Sequence, residues 1–351
     1  MKKEHKKYSG RPGRVTATDV AKELGISVMT VSRVLNKKPN VADDTREKVM
    51  QTAMRLGYIP NRIARSLVTR KSYTIGVIVP EITHSFFPDV IRGIEEVVYN
   101  TGYNLLFIHS AEDESREKKA IQTLEENQVD GILLSMAQTV KKYSFYRKLI
   151  ENRKPLVFFD RCAKRLGASC VGINDVEMAR HMTEHMIHHG YKRIAHLQGS
   201  KNVSIGRDRL LGFRKALEEN NLTVNEDLII ESDFHEKGGY SAMISLLELP
   251  KKMLPRAVVA VNDPAAFGAM QAILEKGYRI PEDIAVVGFS DDVRAPFTPT
   301  PLTTVNQRPY DVGCKAAQKL LRHIDNPNER VEYLMIKTEP IIRRSCGCNG
   351  T

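Results

Sequence analysis

Two periodicities of apolar and polar residues divide the chain. From about Thr16 onward, apolar residues recur every three or four positions in three short segments, which is typical of helices with one buried face. The first segment begins at a variant capping box, Thr16 to Asp19, and ends at Gly25; the second begins at Ser27; the third spans about 43–56. The predicted inward positions are Val20, Ala21, Leu24, Val31, Val34, Leu35, Val49, Ala53 and Leu56. Three short helices in succession predict one small all-α domain.

Beyond Pro60, strand-sized apolar runs alternate with amphipathic stretches. The predicted strands are Thr74–Val79, Asn104–His109, Gly131–Ser135, Leu156–Asp160, Arg193–Leu197, Leu228–Glu231, Ala257–Val261 and Ala285–Phe289. The predicted helices include Pro88–Asn100, Ser115–Asn127, Glu177–His189 and Ala265–Lys276. This alternation predicts a parallel sheet with helices on both faces. Residues 73–351 are too many for one such sheet, so we expect two lobes with a ligand between them, at the carboxyl ends of the strands.

The positive charge of the chain is concentrated at its beginning. The formal net charge is +11, and residues 1–72 hold 17 Lys and Arg against 6 Asp and Glu, so the rest of the chain is neutral. A small basic module on a neutral body indicates a nucleic-acid-binding protein. The alternative, a disordered basic tail, accounts for residues 1–14 but not for the helical pattern that follows.

The segment Val20–Leu35 has the spacing of a helix-turn-helix, with Gly25 at the turn. The alternative is an ordinary helical hairpin, which the charge distribution disfavours. In such a motif the second helix enters the major groove with its outward side chains. Arg33 would pair with guanine, and Val28 and Met29 would pack on thymine methyl groups. The outward positions are Val28, Met29, Thr30, Ser32 and Arg33.

Several motifs together resemble the LacI family of bacterial transcription regulators. They are Thr-Val-Ser-Arg-Val-Leu-Asn at 30–36, Thr-Arg-Glu-Lys-Val at 45–49, Leu-Gly-Tyr-Ile-Pro-Asn at 56–61, Ala-Arg-Ser-Leu at 64–67 and Ile-Gly-Val-Ile-Val-Pro at 75–80. The similarity covers nearly all of residues 15–345. It implies a helix-turn-helix domain at 15–60 and a hinge helix with its linker at 61–72. A two-lobed, periplasmic-binding-protein-like effector domain follows at 73–351, with lobes of roughly 73–174 plus 306–336 and 175–305 plus 337–351. Residues 1–14 are longer than the family needs, and their polar, basic, Gly- and Pro-containing composition predicts a disordered basic tail.

The resemblance also implies DNA-contacting residues outside the second helix. A hinge helix at Asn61–Leu67 would fold on the minor groove and insert Leu67 as a wedge between base pairs. Thr16, Ser27, Thr30, Ser32, Asn36, Asn40 and Tyr58 are candidate phosphate contacts, and Asn61, Arg62, Ala64 and Leu67 are the candidate hinge contacts. For any one phosphate contact, a merely solvated side chain is the alternative. One departure from the family is Ala42, because the family usually has a Ser that caps the third helix at this position. Loss of that cap should lower the stability of the helix by about 1 kcal/mol.

For the effector site, the resemblance points to residues near strand ends. The candidates are Phe86, Phe87, Asp160, Arg161, Arg209, Phe234, Asn262, Asp263 and Asp291. Carboxylates and guanidinium groups bind hydroxyl pairs, and aromatic rings cover sugar faces, so this set suits a sugar or sugar acid. Val203 and Ile205 replace an arginine and a threonine of the purine-binding member of the family, which disfavours a purine. For Phe86 or Phe234 alone, a plain core position is the alternative.

Other signals are weaker. His181, His185 and His188 share a helical face, and 181–185 matches a zinc-protease pattern, but we expect a solvated face and no metal. Cys346 and Cys348 form a C-x-C that could bind a metal or oxidise, but a lone C-x-C is a weak signal. Five cysteines, an odd and sparse set, predict no disulfide framework. We expect no catalytic residues, no cofactor and a cytoplasmic location. A transport receptor is disfavoured because no secretory signal is present, and an α/β enzyme because no catalytic constellation appears. The sequence thus predicts a homodimeric repressor of a pseudo-palindromic operator that is controlled allosterically by a small ligand.

Overall fold

The computed structural model describes residues 15–36, 38–59 and 71–348. The chain divides into two compact units, with the boundary between Ser72 and Tyr73. The predicted basic tail at 1–14 and the predicted hinge contacts Asn61, Arg62, Ala64 and Leu67 lie outside the described residues.

The first unit contains three helices whose beginnings and ends are set by local chemistry. They are α1 (Ala17–Leu24), α2 (Val28–Leu35) and α3 (Asp43–Leu56). At α1 the Thr16 hydroxyl accepts from the backbone N–H of Asp19, while the Asp19 carboxylate accepts from the backbone N–H of Thr16, which completes the expected capping box. At α2 the Ser27 hydroxyl accepts from the backbone N–H of Thr30. No side chain caps α3, because Ala42 stands at its N-cap.

A small apolar core joins these helices. Val20 and Ala21 of α1 pack with Val31 and Val34 of α2 and with α3. Gly25 has φ 66°, a left-handed conformation that glycine adopts without strain, so the chain turns sharply between α1 and α2. The second helix is therefore fixed against the first along one face, and its opposite face is left outward.

The second unit alternates strands and helices. Its strands are β1 (Thr74–Val79), β2 (Asn104–His109), β3 (Gly131–Leu134), β4 (Leu156–Phe159), β5 (Ser169–Gly172), β6 (Ile194–Gln198), β7 (Ile229–Glu231), β8 (Ala257–Ala260), β9 (Ala285–Val287), β10 (Thr304–Asn306), β11 (Tyr333–Met335) and β12 (Glu339–Ile341). Its helices are α4 (Phe86–Tyr99), α5 (Glu114–Glu126), α6 (Ser144–Glu151), α7 (Asp175–His188), α8 (Ser204–Glu219), α9 (Glu236–Leu247), α10 (Asp263–Glu275) and α11 (Pro309–Asp325).

Two parallel sheets organise this unit into two lobes. The first lobe has the strand order β11-β5-β4-β3-β1-β2, and the second has the order β7-β6-β8-β9. A short antiparallel pair, β10 with β12, extends the second sheet through a bridge between Val287 and Thr303. The chain passes between the lobes three times: after β5, after β10 and after β11. The carboxyl ends of both sets of strands consequently border one cleft.

The predicted strands match the observed ones closely, with small differences at their ends. The first two have the predicted bounds, and β4 ends at Phe159 because Asp160 adopts φ 58° and leaves the extended conformation. The sequence pattern did not identify β5, β10, β11 and β12. These strands have three or four residues each, and β11 and β12 are partly exposed, so they produce no long apolar run.

Helices α4 and α11 cross at two glycines in the first lobe. A Cβ atom on Gly93 would lie 2.1 Å from the carbonyl oxygen of Tyr310, and one on Gly313 would lie 2.0 Å from the carbonyl oxygen of Val90. The two backbones therefore approach as closely as glycine permits. This contact holds α11, which comes late in the chain, firmly in the first lobe.

The cysteines differ from the sequence expectation in one respect. Cys162 and Cys170 form a disulfide, with Cα atoms 5.8 Å apart, although the sequence favoured reduced thiols. The pairing arises because β4 and β5 are neighbouring parallel strands, with Phe158 opposite Cys170, and Cys162 follows β4 closely. Cys314, Cys346 and Cys348 are free.

Candidate functional site

The outward face of α2 carries two large apolar side chains. Met29 is 67% exposed and Val28 is 44% exposed, both in the first turn of the helix. Arg33, one turn later on the same exposed side, makes no salt bridge with the described residues of the chain. Large apolar side chains are unfavourable when they face water, so an exposed apolar patch beside an unpaired guanidinium group indicates a surface that binds a partner. This face has the composition that reads base edges in a major groove.

Some of the candidate phosphate contacts already make hydrogen bonds within the protein, and others are exposed. The hydroxyl of Thr16 donates to Asp19 at 2.6 Å, and Thr16 and Tyr58 are both half-buried. The Asn36 side-chain amide donates to the carbonyl of Ser32 at 2.8 Å. Asn40 is exposed, with φ 67°. Most of the positions lie at the start of α1 and along or beside α2, where backbone N–H groups at helix N-termini also attract phosphate, whereas Tyr58 follows the end of α3.

In the second unit the cleft between the lobes is lined by seven of the nine candidate effector residues. They are Phe86, Phe87, Asp160, Arg161, Arg209, Phe234 and Asn262. Phe86 and Phe87 start α4 directly after β1, and their rings meet edge to face with centroids 5.1 Å apart. The guanidinium of Arg161 lies over the ring of Phe234 from the opposite lobe, 4.7 Å from its centroid. The cleft therefore combines aromatic faces with buried charge.

Arg161 is a buried cation held by a carboxylate. Its two terminal nitrogens donate to the two carboxylate oxygens of Glu112, each at 2.8 Å. Burial opposes the charged form, but the carboxylates of Glu112, Asp160 and Glu81 together outweigh it, so the pKa of Arg161 is raised. Its Nε is buried without a hydrogen bond and lies 3.8 Å from the Asp160 carboxylate. One donor of this guanidinium is therefore not satisfied by the described residues.

Asp160 lies beside two cations and is still difficult to ionise. Burial raises its pKa to about 7, and the positive charges of Arg161 and Arg209 offset only part of that effect. A carboxyl group that is half-protonated near neutrality can both donate and accept hydrogen bonds.

Arg209 projects from α8 into the cleft. Its Nε donates to the Asp175 carboxylate at 2.8 Å, Nη1 donates to the carbonyl of Val261, and the guanidinium stacks 3.7 Å from the centroid of Phe289. No hydrogen bond joins Nη2 to the part of the chain that the structure describes. The residue is thereby held in one orientation with one nitrogen still available.

Two candidate residues do not line the cleft. Asp263 is fully buried, where its carboxylate accepts from the Thr304 hydroxyl at 2.6 Å and from the backbone N–H of Asp292 at 2.7 Å. Asp291 pairs with Arg343 at 2.8 Å. The next residue, Asp292, lines the cleft instead. The resemblance therefore pointed to the correct loop but to the neighbouring residue. Asp291 has a left-handed φ of 54°, so the side chains of Asp291 and Asp292 point in different directions.

The sequence reasoning missed a charged network at the mouth of the cleft. His84 lies between Glu81 of its own lobe, at 3.2 Å, and Glu236 of the other lobe, at 3.0 Å. Glu236 also pairs with Arg294 at 2.8 Å, and Arg294 pairs with Asp292 at 2.8 Å. Burial opposes the protonation of His84, but the two carboxylates outweigh it and raise its pKa. Sequence spacing gave no signal, because His84 and Glu236 are 152 positions apart.

Further residues that line the cleft were also not predicted. They are His235, Pro264, Ser290 and Gln307, together with Ile205, which the sequence comparison marked only as a departure from the purine-binding pattern.

In the part of the chain that the structure describes, no helix is long and apolar enough to cross a membrane.

Comparison with protein families identifies both units. The family of bacterial regulatory proteins named after lacI matches residues 16–61, and the periplasmic binding protein-like domain matches residues 183–346. Among curated relatives, the transcriptional regulator RegA of Clostridium saccharobutylicum is 32% identical over 92% of this chain and 98% of its own length. The ribose operon repressor and the repressor PurR of Haemophilus influenzae are each 34% identical, over 94% of this chain and 98% of theirs.

Solved structures agree with these relatives. The lac repressor dimer bound to operator and the anti-inducer ONPF has a TM-score of 0.85 at 26% identity and covers 95% of this chain and 99% of that one. The regulator CelR in complex with cellobiose has a TM-score of 0.72 at 28% identity, over 95% and 100%. The helix-turn-helix fold, the two-lobed α/β fold and these full-length similarities place the chain in the LacI family of bacterial regulatory proteins.

Proposed function

We propose that this protein is a transcriptional repressor that binds a pseudo-palindromic operator as a homodimer and changes its DNA affinity when a small ligand enters the cleft. The outward face of α2, with Met29, Val28 and Arg33, carries the DNA-binding part of the proposal. The relatives named as operon repressors, and the lac repressor dimer with operator, support the mode of action. The protein acts by binding rather than by catalysis, and in the cytoplasm, where its DNA target lies.

In this proposal α2 lies in the major groove. Arg33 pairs with a guanine, and Val28 and Met29 contact thymine methyl groups. Thr16, Ser27, Thr30, Ser32, Asn36, Asn40 and Tyr58 position the unit on phosphates. The segment Asn61–Leu67 follows as the hinge, with Asn61, Arg62 and Ala64 on the minor groove and Leu67 between base pairs.

The effector we propose is a sugar or a sugar acid. The cleft offers aromatic faces from both lobes, the Asp160 carboxyl group and the available Nη2 of Arg209, which together suit a ring carrying several hydroxyl groups. Ile205, at the start of α8, adds an apolar surface where a purine would require polar contacts. Two relatives support a sugar: the regulator CelR was solved in complex with cellobiose, and a repressor of a ribose operon is 34% identical to this chain.

Ligand control would work through the contacts between lobes. Besides His84 with Glu236, the backbone N–H of Cys162 donates to the Ser204 hydroxyl at 2.9 Å, and the Asn202 amide donates to the carbonyl of Gln138 at 3.0 Å. A ligand that contacts both lobes favours the lobe arrangement in which it binds best. We expect the proposed hinge segments of the two protomers to be spaced differently in the two arrangements.

The DNA-binding part is tested by selecting sites from random duplexes with the full-length protein. We expect a selected sequence with two-fold symmetry, and affinity measured by fluorescence anisotropy that falls steeply as salt rises. Arg33→Ala should relax the preference at one base pair of each half-site. Arg55→Ala is the matched control, since Arg55 lies on α3 and pairs with Glu23 at 3.0 Å. A selected site without two-fold symmetry would contradict the proposal that the protein binds DNA as a dimer. An affinity that does not change with salt would contradict the proposal that basic side chains bind the phosphates.

The effector part is tested by thermal-shift screening of the full-length protein with sugars, sugar acids and purine bases in parallel. A ligand that binds only the folded state raises the unfolding temperature according to its concentration relative to its Kd. We expect a sugar or sugar acid to raise this temperature and to alter operator affinity. A shift with purine bases alone would replace the sugar proposal with the purine one and leave the DNA-binding proposal intact.

A further inference from the structure

The C-terminal end of α7 meets the C-terminal segment of the chain. His185 lies on the last turn of α7, and His189 follows the helix at its C-cap, so the two imidazoles share one face at the i and i+4 positions. Their ring centroids are 4.7 Å apart. Helical spacing places His185 with His181 and His188, but in the fold the imidazole that packs against His185 beside the chain end is that of His189.

Cys346 and Cys348 come to the same place from the end of the chain. The Sγ of Cys348 lies 3.0 Å from Nε2 of His189 and 3.7 Å from Nε2 of His185. One ligand atom from each of His185, Cys346 and Cys348 lies within 4.8 Å of the others. Two ligands on one tetrahedral zinc ion, with bonds of about 2.0–2.3 Å, lie about 3.5–3.8 Å apart. His185, Cys346 and Cys348 therefore have nearly the separations that a bound zinc ion requires. His189 stands outside this group of three, but its exposed side chain already contacts Cys348 and would complete the site by turning toward the ion.

Backbone geometry explains why the two sulfurs face the same point. Gly347 has φ 94°, which turns the chain between the two cysteines, and a Cβ atom there would lie 2.9 Å from the Tyr191 hydroxyl. The preceding residue, Ser345, is fixed in the second lobe: its hydroxyl donates to the carbonyl of Val286 and accepts from the backbone N–H of Thr303. The C-x-C segment is consequently held in place by the fold.

The surroundings of Cys346 fit a metal-bound sulfur. Cys346 is fully buried, and the Thr303 hydroxyl lies 3.1 Å from its Sγ and 3.0 Å from the Arg343 carbonyl, so it can donate to either. The Cys346 thiol donates to the same carbonyl at 3.4 Å, with the proton that a metal ion would displace. A hydrogen bond to the sulfur stabilises a thiolate and orients it, as outer-shell partners do in metal sites. On the opposite side, His189 is exposed, so the cluster is open to an incoming ion.

We propose that His185, His189, Cys346 and Cys348 form a structural zinc site. Two thiolates and two neutral imidazoles make a tetrahedral donor set that prefers zinc to hard cations such as magnesium or calcium. Binding one Zn²⁺ releases the two thiol protons to solvent, and no oxidation state changes. The ion would fasten the chain end to α7, whose other end holds Asp175 against Arg209 in the cleft.

The proposal is tested on full-length protein purified under reducing conditions without chelator. Zinc is quantified by elemental mass spectrometry, and its affinity is measured by competition with a chromophoric chelator. We expect one zinc per chain in the wild type, and an affinity lower by at least about 100-fold in Cys348→Ser and His185→Asn, since even outer-shell changes cost about 10–100-fold. Substitution with Co²⁺ should give thiolate-to-cobalt charge-transfer absorption that Cys346→Ser weakens.

Matched controls separate the site from a general loss of folding. Cys314→Ser removes a free thiol from another helix, and His181→Asn removes an exposed histidine from α7, so both should keep wild-type zinc affinity. His189→Asn alters an exposed side chain and tests the fourth ligand without disturbing the core. Equal zinc affinity in the wild type and Cys348→Ser would overturn the proposal. So would a Cys346–Cys348 disulfide that persists in zinc-free protein purified under the same reducing conditions.

Discussion

Nε2 of His84 lies 3.0 Å from the carboxylate of Glu236, and this contact joins the two lobes across the mouth of the cleft. His84 follows β1 in the first lobe, whereas Glu236 is the first residue of α9 in the second. The imidazole also contacts Glu81 at 3.2 Å and faces the ring of His235 at 5.7 Å, with Asp292 and Arg294 beyond. A protonated His84 would therefore be shared between carboxylates of both lobes.

The first prediction is that this contact makes stability depend on pH. The pKa of His84 is raised above its ordinary value of 6.5, so the folded state binds this proton more tightly than the unfolded state does. The stabilisation is therefore fully present below pH 6.5 and is lost as pH rises through the raised pKa. His84→Gln should lower the unfolding temperature at pH 6 and have little effect at pH 9.

His188→Gln is the control, because His188 is exposed on α7 and lies outside the cleft lining. Thermal unfolding followed by circular dichroism between pH 5 and 9 measures the effect. A loss of stability in His84→Gln that is the same at every pH would assign His84 a packing role only.

The second prediction concerns Asp160, whose pKa burial raises from 3.8 to about 7. The folded state prefers the protonated acid, so its contribution is fully present below pH 3.8 and is lost as pH rises from 3.8 to about 7. Asp160→Asn keeps the shape without the charge, and asparagine tolerates the left-handed backbone at this position. The variant should therefore gain stability over the wild type as pH rises from 5 to 8.

Urea unfolding at pH 5 and pH 8 measures this difference. Asp283→Asn is the control, since Asp283 is a half-buried surface acid that pairs with Arg279 and has a lowered pKa. Its effect should be small and should not favour the variant at high pH. If Asp160→Asn is destabilised more at pH 8 than at pH 5, the carboxylate is instead required by Arg161 and Arg209.

The sequence predicted features that depend on neighbouring residues better than features that depend on residues far apart in the chain. The capping box at Thr16 and the strand Thr74–Val79 were predicted because neighbouring residues alone determine them. Seven of the nine effector-site candidates that the family resemblance supplied do line the cleft, because a family resemblance carries tertiary information that periodicity lacks. The contact of Cys348 with His189 spans 159 positions, and no local pattern encodes it. Asp263 and Asp291 were misplaced because the direction of a side chain after a strand depends on the exact turn.

The third prediction separates the two roles of Arg209. Arg209→Lys keeps a cation near the buried Asp175 but loses the planar group whose Nη2 is available in the cleft. We expect the effector to bind at least about 10-fold more weakly, which corresponds to about 1.4 kcal/mol. Operator affinity without effector should stay within about twofold of the wild type. Isothermal titration with the effector and anisotropy with operator DNA measure the two quantities.

Arg214→Lys is the matched control for this experiment. Arg214 lies on the same helix, α8, and its guanidinium also binds a carboxylate, that of Glu226, but at the exposed surface. The substitution should leave effector affinity unchanged. Similar losses in both variants would mean that α8 tolerates no lysine, and an unchanged Arg209→Lys would remove Arg209 from the effector site.

The last prediction concerns the uncapped start of α3. Ala42 occupies the N-cap with φ −54° and ψ 140°, values close to those of Ser27 at the capped start of α2, φ −69° and ψ 145°. Ala42→Ser can therefore place a hydroxyl where it accepts a backbone N–H of the first turn. The substitution should raise the free energy of unfolding of this unit by about 1 kcal/mol, and Ser27→Ala should lower it by a similar amount.

Hydrogen exchange of the amides of α1–α3, followed by mass spectrometry, measures the stability of this unit separately from that of the second unit. Slower exchange in Ala42→Ser with faster exchange in Ser27→Ala is the expected pair of results. Unchanged exchange in Ala42→Ser would mean that Asp43 and Asp44, both in the first turn, already satisfy the helix dipole.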